Sequence, residues 1–471
     1  MTSLEEPLEI GSATLPNRLY RAPLLECAGN GPDAVETLID DLEPAAASGV
    51  GLLCQGATIV REEGGCAAPG MTRVSDPAFV SRLSRLTDRM HDHGSTIFVQ
   101  LEHGGLRSME TWHAEYRREN PGMEQLAVSR PPWQLRALDR AGFLHYDPHV
   151  LTTQEVYDLA ADFGRAAAYC ADAGYDGVHL SGANMGIVQQ FLSPFYNRRE
   201  DEFGGSPEAR LRFLALVHDE IRERAGDVPL MTKVPAETPA PPAPVVRRKL
   251  SLEDGIEISR RLERIGYDAV VPVQTSVVWD MSIVRGRYPE RAWENEALRE
   301  GYDAAFGGPW RTRMVAAANR VQALQYTLEG PWNEDFCRRV REQVSIPVLA
   351  EGGIRERAEM DRLLGGETGD ANDVSTRRPA CDMVGMARPF YAEPRVGARL
   401  LEDAGGEHTE SRAGERVLCE SCNNCTVPQV TGAPGICRTP SVLRERGDLE
   451  RAGAYEGVRS VRGNSSSRGE D

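Results

Sequence analysis

The chain has 471 residues, 41% of them hydrophobic, and a formal net charge of −17 at pH 7. This size allows a large buried core, and an acidic chain without a basic stripe argues against nucleic-acid binding. The N-terminus shows no basic segment followed by an apolar run, and no window approaches the roughly 18 consecutive apolar residues of a membrane span. The sequence therefore predicts a soluble cytoplasmic protein.

Basic residues are almost all arginine, because Lys233 and Lys249 are the only lysines. Such a composition is typical both of proteins from a very salty cytoplasm and of GC-rich codon usage, and the sequence does not separate the two. Six cysteines show no pairing rhythm, which argues against the disulfide framework of a secreted protein. They are Cys27, Cys54, Cys66, Cys170, Cys337 and Cys381.

Short β-branched segments alternate along the chain with longer segments of helical period. The predicted strands are 17–24, 51–59, 96–103, 176–184, 229–237, 268–274, 346–353 and 382–389. Strands that are apolar on both alternations need cover on both faces, so this order predicts an α/β fold, a closed (β/α)8 TIM barrel. Three helix starts support the count: Thr152 with Glu155 as a capping box, Ser206 before Pro207, and Ser251.

Two segments are too long for simple connections, 104–150 after the third strand and 275–330 after the sixth. We predict that they cover the C-terminal mouth of the barrel. Their tryptophans either line a substrate pocket or pack the excursions onto the barrel, and both interpretations stay open. These are Trp112, Trp133, Trp279 and Trp310.

The predicted domains are a barrel over 1–405, a cysteine extension over 406–441 and a disordered tail over 442–471. Within the barrel, residues 235–249 form a Pro-rich loop and residues 365–380 a polar insertion.

Functional groups of such a barrel lie at the C-terminal ends of its strands. Small residues there let backbone amides approach a phosphate, and an arginine adds charge; the candidates are Gly352, Gly353, Ala387 and Arg388. Other strands end in Gln100, in Ser181 with Asn184, and in Lys233. A carboxamide, a cation and a phosphate site on one rim suit flavin mononucleotide, FMN.

The cysteines of the extension follow the spacing C-x2-C-x2-C-x11-C: Cys419, Cys422, Cys425 and Cys437. Three cysteines in one short loop with a distant fourth favour a [4Fe-4S] cluster, whereas structural zinc usually takes two separated pairs. Unligated core or redox-sensing cysteines are the remaining interpretation.

The segment DGVHLSGANMGIVQQFLSPFYNRREDEFGGSPEARLRFL, 176–214, resembles the signature of the old yellow enzyme family of flavin-dependent oxidoreductases. PLEIGSATLPNRLYRAPL, FVQLEHGG, IPVLAEGGI and VGMARPF resemble further blocks of that family in the same order. With its C-terminal cysteines the chain is similar to the branch of bacterial 2,4-dienoyl-CoA reductase and trimethylamine dehydrogenase, which implies a [4Fe-4S] cluster beside an FMN barrel. No G-x-G-x-x-G follows a strand.

The resemblance implies roles for individual residues. Pro23, Leu24 and Leu25 correspond to backbone contacts of the isoalloxazine, and Ala57 to the residue beside its N5 edge. Gln100 corresponds to the carboxamide at the pyrimidine edge. Lys233 stands where the family has an arginine near N1 and O2, a place where positive charge stabilises anionic reduced flavin. The alternative for Lys233 is a surface lysine at a strand end.

The chain departs from the family at the substrate. In the family, a pair that is usually His and Asn, or His and His, hydrogen-bonds an activating carbonyl, and this chain has Ser181 and Asn184 there. Gly186 stands in place of the usual proton-donating Tyr. The proton source is therefore open among His145, Tyr146, Tyr326 and water, and His179 is either a further candidate or a packed core residue.

The sequence predicts an FMN-dependent oxidoreductase that reduces an activated C=C bond in a small-molecule substrate, with electrons from NAD(P)H or a separate redox partner protein. The closest alternative is an amine or betaine dehydrogenase or demethylase, and an electron-transfer flavin and iron-sulfur subunit is the alternative from another class. A closed pocket would favour the enzyme, and an open flat surface the carrier. A homo-oligomer is compatible with all three.

Overall fold

The computed structural model describes residues 2–238, 246–365, 378–401 and 416–456. Its core is a sheet of parallel strands, labelled β1 Leu19–Arg21, β2 Leu52–Ile59, β3 Thr96–Glu102, β4 Gly177–Leu180, β5 Leu230–Thr238, β6 Ala269–Ser276, β7 Leu349–Glu351 and β8 Met383–Met386. Strands β1 to β6 pair in succession, β7 pairs with β8, and β8 pairs with β1. A bridge between Val270 and Val348 joins β6 to β7, so the predicted (β/α)8 barrel is confirmed.

The barrel helices are α1 Ala34–Ala46, α2 Ser84–Asp92, α3 Thr153–Asp172, α4 Pro207–Ala225, α5 Leu252–Ile265, α6 Glu334–Arg341, α7 Arg357–Gly365 and α8 Val396–Leu400. The three predicted starts are confirmed. Thr152 and Glu155 form a capping box, Ser251 does so with Asp254, and the Ser206 hydroxyl accepts from the amide of Ala209.

An antiparallel hairpin, Leu8–Ile10 with Ala13–Leu15, closes the end of the barrel where the strands begin. Ile10 and Leu15 pack into the same apolar cluster as the interior residues of the barrel. Ser12 donates a hydrogen bond to the carbonyl of Asp227, just before β5. This end is filled with apolar side chains, which leaves the opposite end for polar groups.

Both predicted excursions cover that opposite end. The first contains the short helices Met109–Trp112, Ala114–Glu119 and Trp133–Arg140, and the second contains the helices Glu290–Trp293, Glu296–Phe306 and Pro309–Gln325. They meet where the Trp112 ring lies 5.3 Å from that of Trp279 and 6.2 Å from that of Phe306. Trp133 and Trp310 are more than half exposed, so the pocket interpretation holds only for Trp112 and Trp279.

The disordered tail predicted from residue 442 is wrong in its first part, because a helix spans Pro440–Arg451. Val442 is buried, and the Tyr455 hydroxyl donates to Glu393 at 2.7 Å, which ties this segment to the barrel. The predicted domain boundary at 405, residues 239–245 of the Pro-rich loop, most of the polar insertion and the end of the tail lie outside the described residues. Within the described ranges, no helix is long and apolar enough to span a membrane.

Candidate active site

A cavity of about 410 Å³ opens at the C-terminal ends of the strands. It brings together most of the residues predicted to bind the cofactor or to act in catalysis: Pro23, Leu24, Leu25, Ala57, Gln100, Ser181, Asn184, Lys233, Ala387 and Arg388. Gly352 and Gly353 line a smaller adjoining cavity of about 70 Å³. The two cavities share Ile283, Glu351, Ala387 and Arg388.

A larger cavity, of about 620 Å³, lies beside the cysteine loop between Arg287, Arg416 and Glu445. It contains none of the side chains at the ends of β3, β4 or β5. The strand-end cavity is therefore the candidate active site, since barrels of this type place their chemistry there.

Gln100 is oriented by His179 on the neighbouring strand. The amide nitrogen of Gln100 lies 2.7 Å from Nδ1 of His179. Burial lowers the pKa of His179 well below its ordinary value, with Lys233 contributing, so the imidazole is neutral and accepts this bond. His179 is fully buried and does not line the cavity, which makes it a positioning residue rather than a proton donor.

Lys233 lies in a buried ion pair that the sequence did not reveal. Its Nζ is 2.6 Å from Oε2 of Glu351, and the other carboxylate oxygen accepts a hydrogen bond from the Tyr20 hydroxyl. Burial, and then the charge of Glu351, raise the pKa of Tyr20 well above its ordinary value, so this hydroxyl keeps its proton. The cation predicted beside the flavin therefore carries its own counter-charge.

Two arginines lie between the smaller cavity and the cysteine loop. Arg388 donates to the side chain of Asn423 and, at 2.8 Å, to the carbonyl of Arg285. Arg355 donates to the carbonyl of Cys419 at 2.7 Å, while its Nε is buried and has no partner among the described residues. Arg355 follows Gly353 by two positions and was missed, although its place after β7 was a signal.

Asn184 is held in a left-handed backbone conformation, with φ 59°. When its carboxamide oxygen faces Arg107, that oxygen accepts from both terminal guanidinium nitrogens, at 3.0 and 3.2 Å. The amide N–H groups of Asn184 are then the donors left for the cavity, which suits a substrate carbonyl. Ser181, the other predicted catalytic residue, is hydrogen-bonded to Glu102.

Glu102 and Arg107 complete this corner and were also missed. Arg107 donates to Oε1 of Glu102 at 2.9 Å, and both side chains line the cavity. Burial raises the pKa of Glu102 despite Arg107, Ser181 and Lys233, all of which lower it. A signal was present: Gln100 and Glu102 are two residues apart on β3, and such residues point to the same side of a strand.

The excursions supply an aromatic wall. Trp112, Trp279, Trp293 and Phe306 line the cavity. The Trp112 indole donates to the carbonyl of Ala67, and the Trp293 indole donates to Asn319, each at 3.2 Å. These bonds fix the rings and present apolar faces to a bound molecule.

All four predicted cysteine ligands line one small cavity of about 20 Å³, together with Arg388. Ser421 and Asn423, on either side of Cys422, have left-handed backbones with φ 52° and 60°, which turns the loop tightly. Burial raises the pKa of Cys425 to about 12, and the other three thiols add to the shift. Within the described ranges, no group of three or more His, Cys, Asp or Glu is arranged to hold a metal ion.

The sequence profile of the NADH:flavin oxidoreductase / NADH oxidase family matches residues 3–243, just over half of the chain. The chain belongs to this family.

Curated relatives of this family member include NADH oxidase of Thermoanaerobacter brockii, 25% identical over 91% of the chain and 56% of that protein. Cinnamate reductase of Clostridium sporogenes is 26% identical over 85% of the chain and 53% of that protein. Dimethylamine dehydrogenase of a Hyphomicrobium species is 25% identical over 92% of the chain and 49% of that protein. The chain thus spans about half the length of these relatives.

Two solved structures share the fold of this family member. One is 2-naphthoyl-CoA reductase, with 17% identity and a TM-score of 0.64, covering 94% of the chain and 58% of that protein. The other is histamine dehydrogenase of Rhizobium sp. 4-9, with 23% identity and a TM-score of 0.64, covering 94% of the chain and 53% of that protein.

The residues of this NADH:flavin oxidoreductase family member fit an FMN. The strand-end cavity of about 410 Å³ offers the carboxamide of Gln100, the cation of Lys233 and the chain at Pro23. The smaller one adds two glycines and the unpartnered Nε of Arg355, a buried donor that an anionic phosphate would satisfy.

The donor set of the cysteine loop also fits an iron-sulfur cluster better than a single ion. Four thiols face one cavity without an imidazole or carboxylate among its lining residues other than Glu420. A cubane carries its thiolates on four separate iron corners, so its ligands stand farther apart than those of one ion.

Proposed function

We propose that this chain is an FMN-dependent oxidoreductase that reduces a C=C bond conjugated to a carbonyl in a small molecule. The observation that carries the proposal is the contact between Arg107 and Asn184 at one corner of the cavity. Arg107 holds the carboxamide oxygen of Asn184, which leaves the amide N–H groups to donate to a molecule in the cavity. A carbonyl bound to that amide is polarised, which makes the conjugated β-carbon electrophilic.

Bound FMN would supply hydride transfer. Around it, the chain's residues divide the work of binding. Gln100, fixed by His179, meets the polar edge of the ring system, and Pro23, Leu24, Leu25 and Ala57 surround it. Gly352, Gly353, Arg355 and Arg388 hold the phosphate end. The aromatic wall excludes water from the substrate.

For the cysteine loop we propose a [4Fe-4S] cluster held by Cys419, Cys422, Cys425 and Cys437. Their common cavity and the nearby Arg388, which also lines the flavin cavity, support this. A cluster in that place divides two-electron chemistry into single-electron steps. NAD(P)H, or a separate redox protein that exchanges electrons through the cluster, is the donor. A cytoplasmic location and a homo-oligomer stay predictions.

An amine or betaine dehydrogenase is the second candidate, and the aromatic wall favours it because tryptophan faces bind cations. The charges at the cavity speak against it. Arg107 brings a cation to the polar corner, and the Asp280 carboxylate already accepts from the amide of Ser282 at 2.8 Å and from the Tyr326 hydroxyl at 3.0 Å. An electron carrier without an organic substrate would not need a cavity enclosed by two excursions.

The test is purification followed by cofactor and substrate analysis. We expect a flavin absorption band, FMN as the released flavin, and iron and sulfide each near about four per chain. Reduced protein should be reoxidised by trans-cinnamate or 2-cyclohexen-1-one, and not by the demethylated products of amines. NADH and NADPH are compared as donors in the same assay.

Each failure has a distinct meaning. Absence of flavin would contradict the whole proposal, and zinc in place of iron would contradict the cluster. Flavin reduction by dimethylamine or a betaine, together with no reoxidation by alkenes, would establish the second candidate instead.

A further inference from the structure

Reduction of a conjugated C=C bond needs a proton at the α-carbon as well as a hydride at the β-carbon. Gly186 has no side chain to supply that proton, and His145, Tyr146 and Tyr326 do not line the cavity. The proton must therefore come from another cavity group or from water.

Three other acidic groups line the cavity, but their hydrogen-bond partners among the described residues do not include Arg107, the residue that Glu102 shares with Asn184. Glu351 is held by Lys233 and Tyr20, and Asp280 by Ser282 and Tyr326. The Tyr391 hydroxyl donates to the carbonyl of Leu25 at 2.8 Å.

Glu102 lies directly beside the carbonyl-binding corner. Its Oε1 is 3.5 Å from the point that a Cβ at Gly186 would occupy, so the carboxyl faces the space that the glycine leaves open. One guanidinium, that of Arg107, contacts both Glu102 at 2.9 Å and Asn184 at 3.0 Å. A carbonyl bound to the Asn184 amide would therefore lie beside this carboxyl, and its α-carbon is one bond from the carbonyl carbon.

We propose that Glu102 is the acid that protonates the α-carbon, and that Arg107 is the residue that positions it against Asn184. This inference rests on the proposed function. The O–H bond of the Glu102 carboxyl breaks and a C–H bond forms at the α-carbon, leaving a carboxylate that regains a proton from solvent. The two electrons arrive with the hydride at the β-carbon, and NAD(P)H or the redox partner replaces them.

The charges around Glu102 are consistent with this role. Burial raises its pKa, against the lowering effects of Arg107, the Ser181 hydrogen bond and Lys233. Burial raises the pKa of the Cys66 thiol to about 11, with a small contribution from Glu102, so this thiol stays neutral and adds no charge. Because the acid form is the active one, the rate of substrate reduction should fall as pH rises through the pKa of Glu102.

The decisive variant is Glu102→Gln, with Glu102→Asp as the conservative comparison. We expect Glu102→Gln to slow reoxidation by trans-cinnamate or 2-cyclohexen-1-one by roughly 10²- to 10⁴-fold. FMN content and the rate of flavin reduction by NAD(P)H should stay at wild-type values. The falling limb of the pH profile should disappear, and Glu102→Asp should restore part of the rate together with that limb.

Glu110→Gln is the matched control, because Glu110 is a buried carboxyl with a raised pKa that does not line the cavity. It should leave reoxidation unchanged. Infrared titration of the oxidised protein gives a readout independent of turnover: a protonated-carboxyl band that titrates with the same pKa as the rate should be absent in Glu102→Gln and present in Glu110→Gln.

Reoxidation of Glu102→Gln within threefold of wild type, or a pH limb that survives in it, would overturn the role of Glu102. So would an infrared spectrum in which the variant loses no titrating band. A wild-type protein that reduces no conjugated alkene would instead overturn the proposed function, and the inference with it.

Discussion

The strand ends of the barrel and the cysteine loop meet at one cavity but are held in different ways. Lys233 and Glu351 sit on strands whose positions are fixed by parallel ladders, with Lys233 opposite Val271 and Glu351 opposite Gly385. In the described part of the extension, the only β-type pairing with the barrel is an isolated antiparallel bridge between Arg416 and Glu356.

The cysteine loop is attached to the barrel by side chains and by separate backbone hydrogen bonds such as that from Arg287 to Ser421, rather than by a continuous ladder. Arg388 reaches Asn423, Arg355 reaches the carbonyl of Cys419, and Gln429 donates to the carbonyl of Leu25 at 2.6 Å. A rim set by strand ladders is formed before any ligand binds, whereas a loop held by separate hydrogen bonds without a ladder gains much of its order from what its thiols bind. Loss of a bound cluster should therefore disorder the loop and leave the barrel folded.

The largest expected effect comes from Cys425→Ser. It removes one of the two most buried proposed ligands of a loop that lacks ladder support, so iron should fall from about four atoms per chain to near zero. FMN content and far-ultraviolet circular dichroism should stay close to wild type, because the parallel ladders that set the barrel do not include the loop. Iron assay, flavin extraction and limited proteolysis with mass mapping measure the three quantities.

Cys170→Ala is the control for that experiment. Cys170 is fully buried in α3 and is not part of the loop, so the Cys170→Ala protein should keep its iron. Joint loss of iron and FMN in Cys425→Ser, with cleavage throughout the barrel, would show that loop and barrel fold as one unit and would end the distinction between them.

The sequence was sufficient for the repetitive part of the molecule. All eight strands and the three helix caps follow from local periodicity and capping residues, which act over a few positions. The cofactor-side residues were predictable because strand C-termini converge in a barrel. The helix after Thr439 was missed because its sequence offers little periodic apolar character, and its burial depends on distant contacts such as Tyr455 with Glu393.

The partners of the site residues could not be predicted. Lys233 and Glu351 are 118 positions apart, and nothing local to either residue indicates the pair. Arg107 stands in an excursion, where no period fixes the direction of a side chain, so its position between Glu102 and Asn184 needed the folded structure. Residue types at a barrel rim are thus readable from sequence, but the charge that the rim presents is not.

Glu351→Gln tests how the charge at the barrel rim acts on the flavin. In the wild type, Glu351 offsets the positive charge of Lys233 that would stabilise anionic reduced flavin. Removing the negative charge should favour reduction and raise the flavin midpoint potential. A change on the order of 1–2 kcal/mol corresponds to roughly 20–45 mV for a two-electron couple. Spectroelectrochemical titration measures it.

Tyr20→Phe is the matched variant, because it removes the hydroxyl that bonds Glu351 and keeps both charges. Its potential should move less than that of Glu351→Gln. An unchanged or lower potential in Glu351→Gln would mean that Lys233 does not act on the flavin, and the cation at this rim would then be a structural part of the barrel.

The smallest effect is expected far from the cavity, at the start of α3, where Thr152→Ala removes half of the capping box. The free energy of unfolding should fall by about 1 kcal/mol, as measured by urea denaturation at pH 7, while iron content and flavin potential stay unchanged. Thr37→Ala, at an exposed threonine within α1, is the control and should cost less.

The same variant should alter acid stability. The Thr152 backbone amide, followed by the His149 side chain, lowers the pKa of Glu155 to about 2. A lowered pKa stabilises the fold above the unfolded-state value, near about 4.3, and that contribution disappears as pH falls toward the folded value. The hydrogen bond from the Thr152 backbone amide survives in Thr152→Ala, and only the hydroxyl's bond to the Glu155 carboxylate depends on pH. The stability difference between wild type and variant should therefore narrow between about pH 4 and pH 2, while the share of the bond that the hydroxyl accepts from the Glu155 amide remains. Iron loss in Thr152→Ala before the barrel unfolds would show that the stability of the loop depends on the start of α3. That result would contradict a loop attached only at the rim.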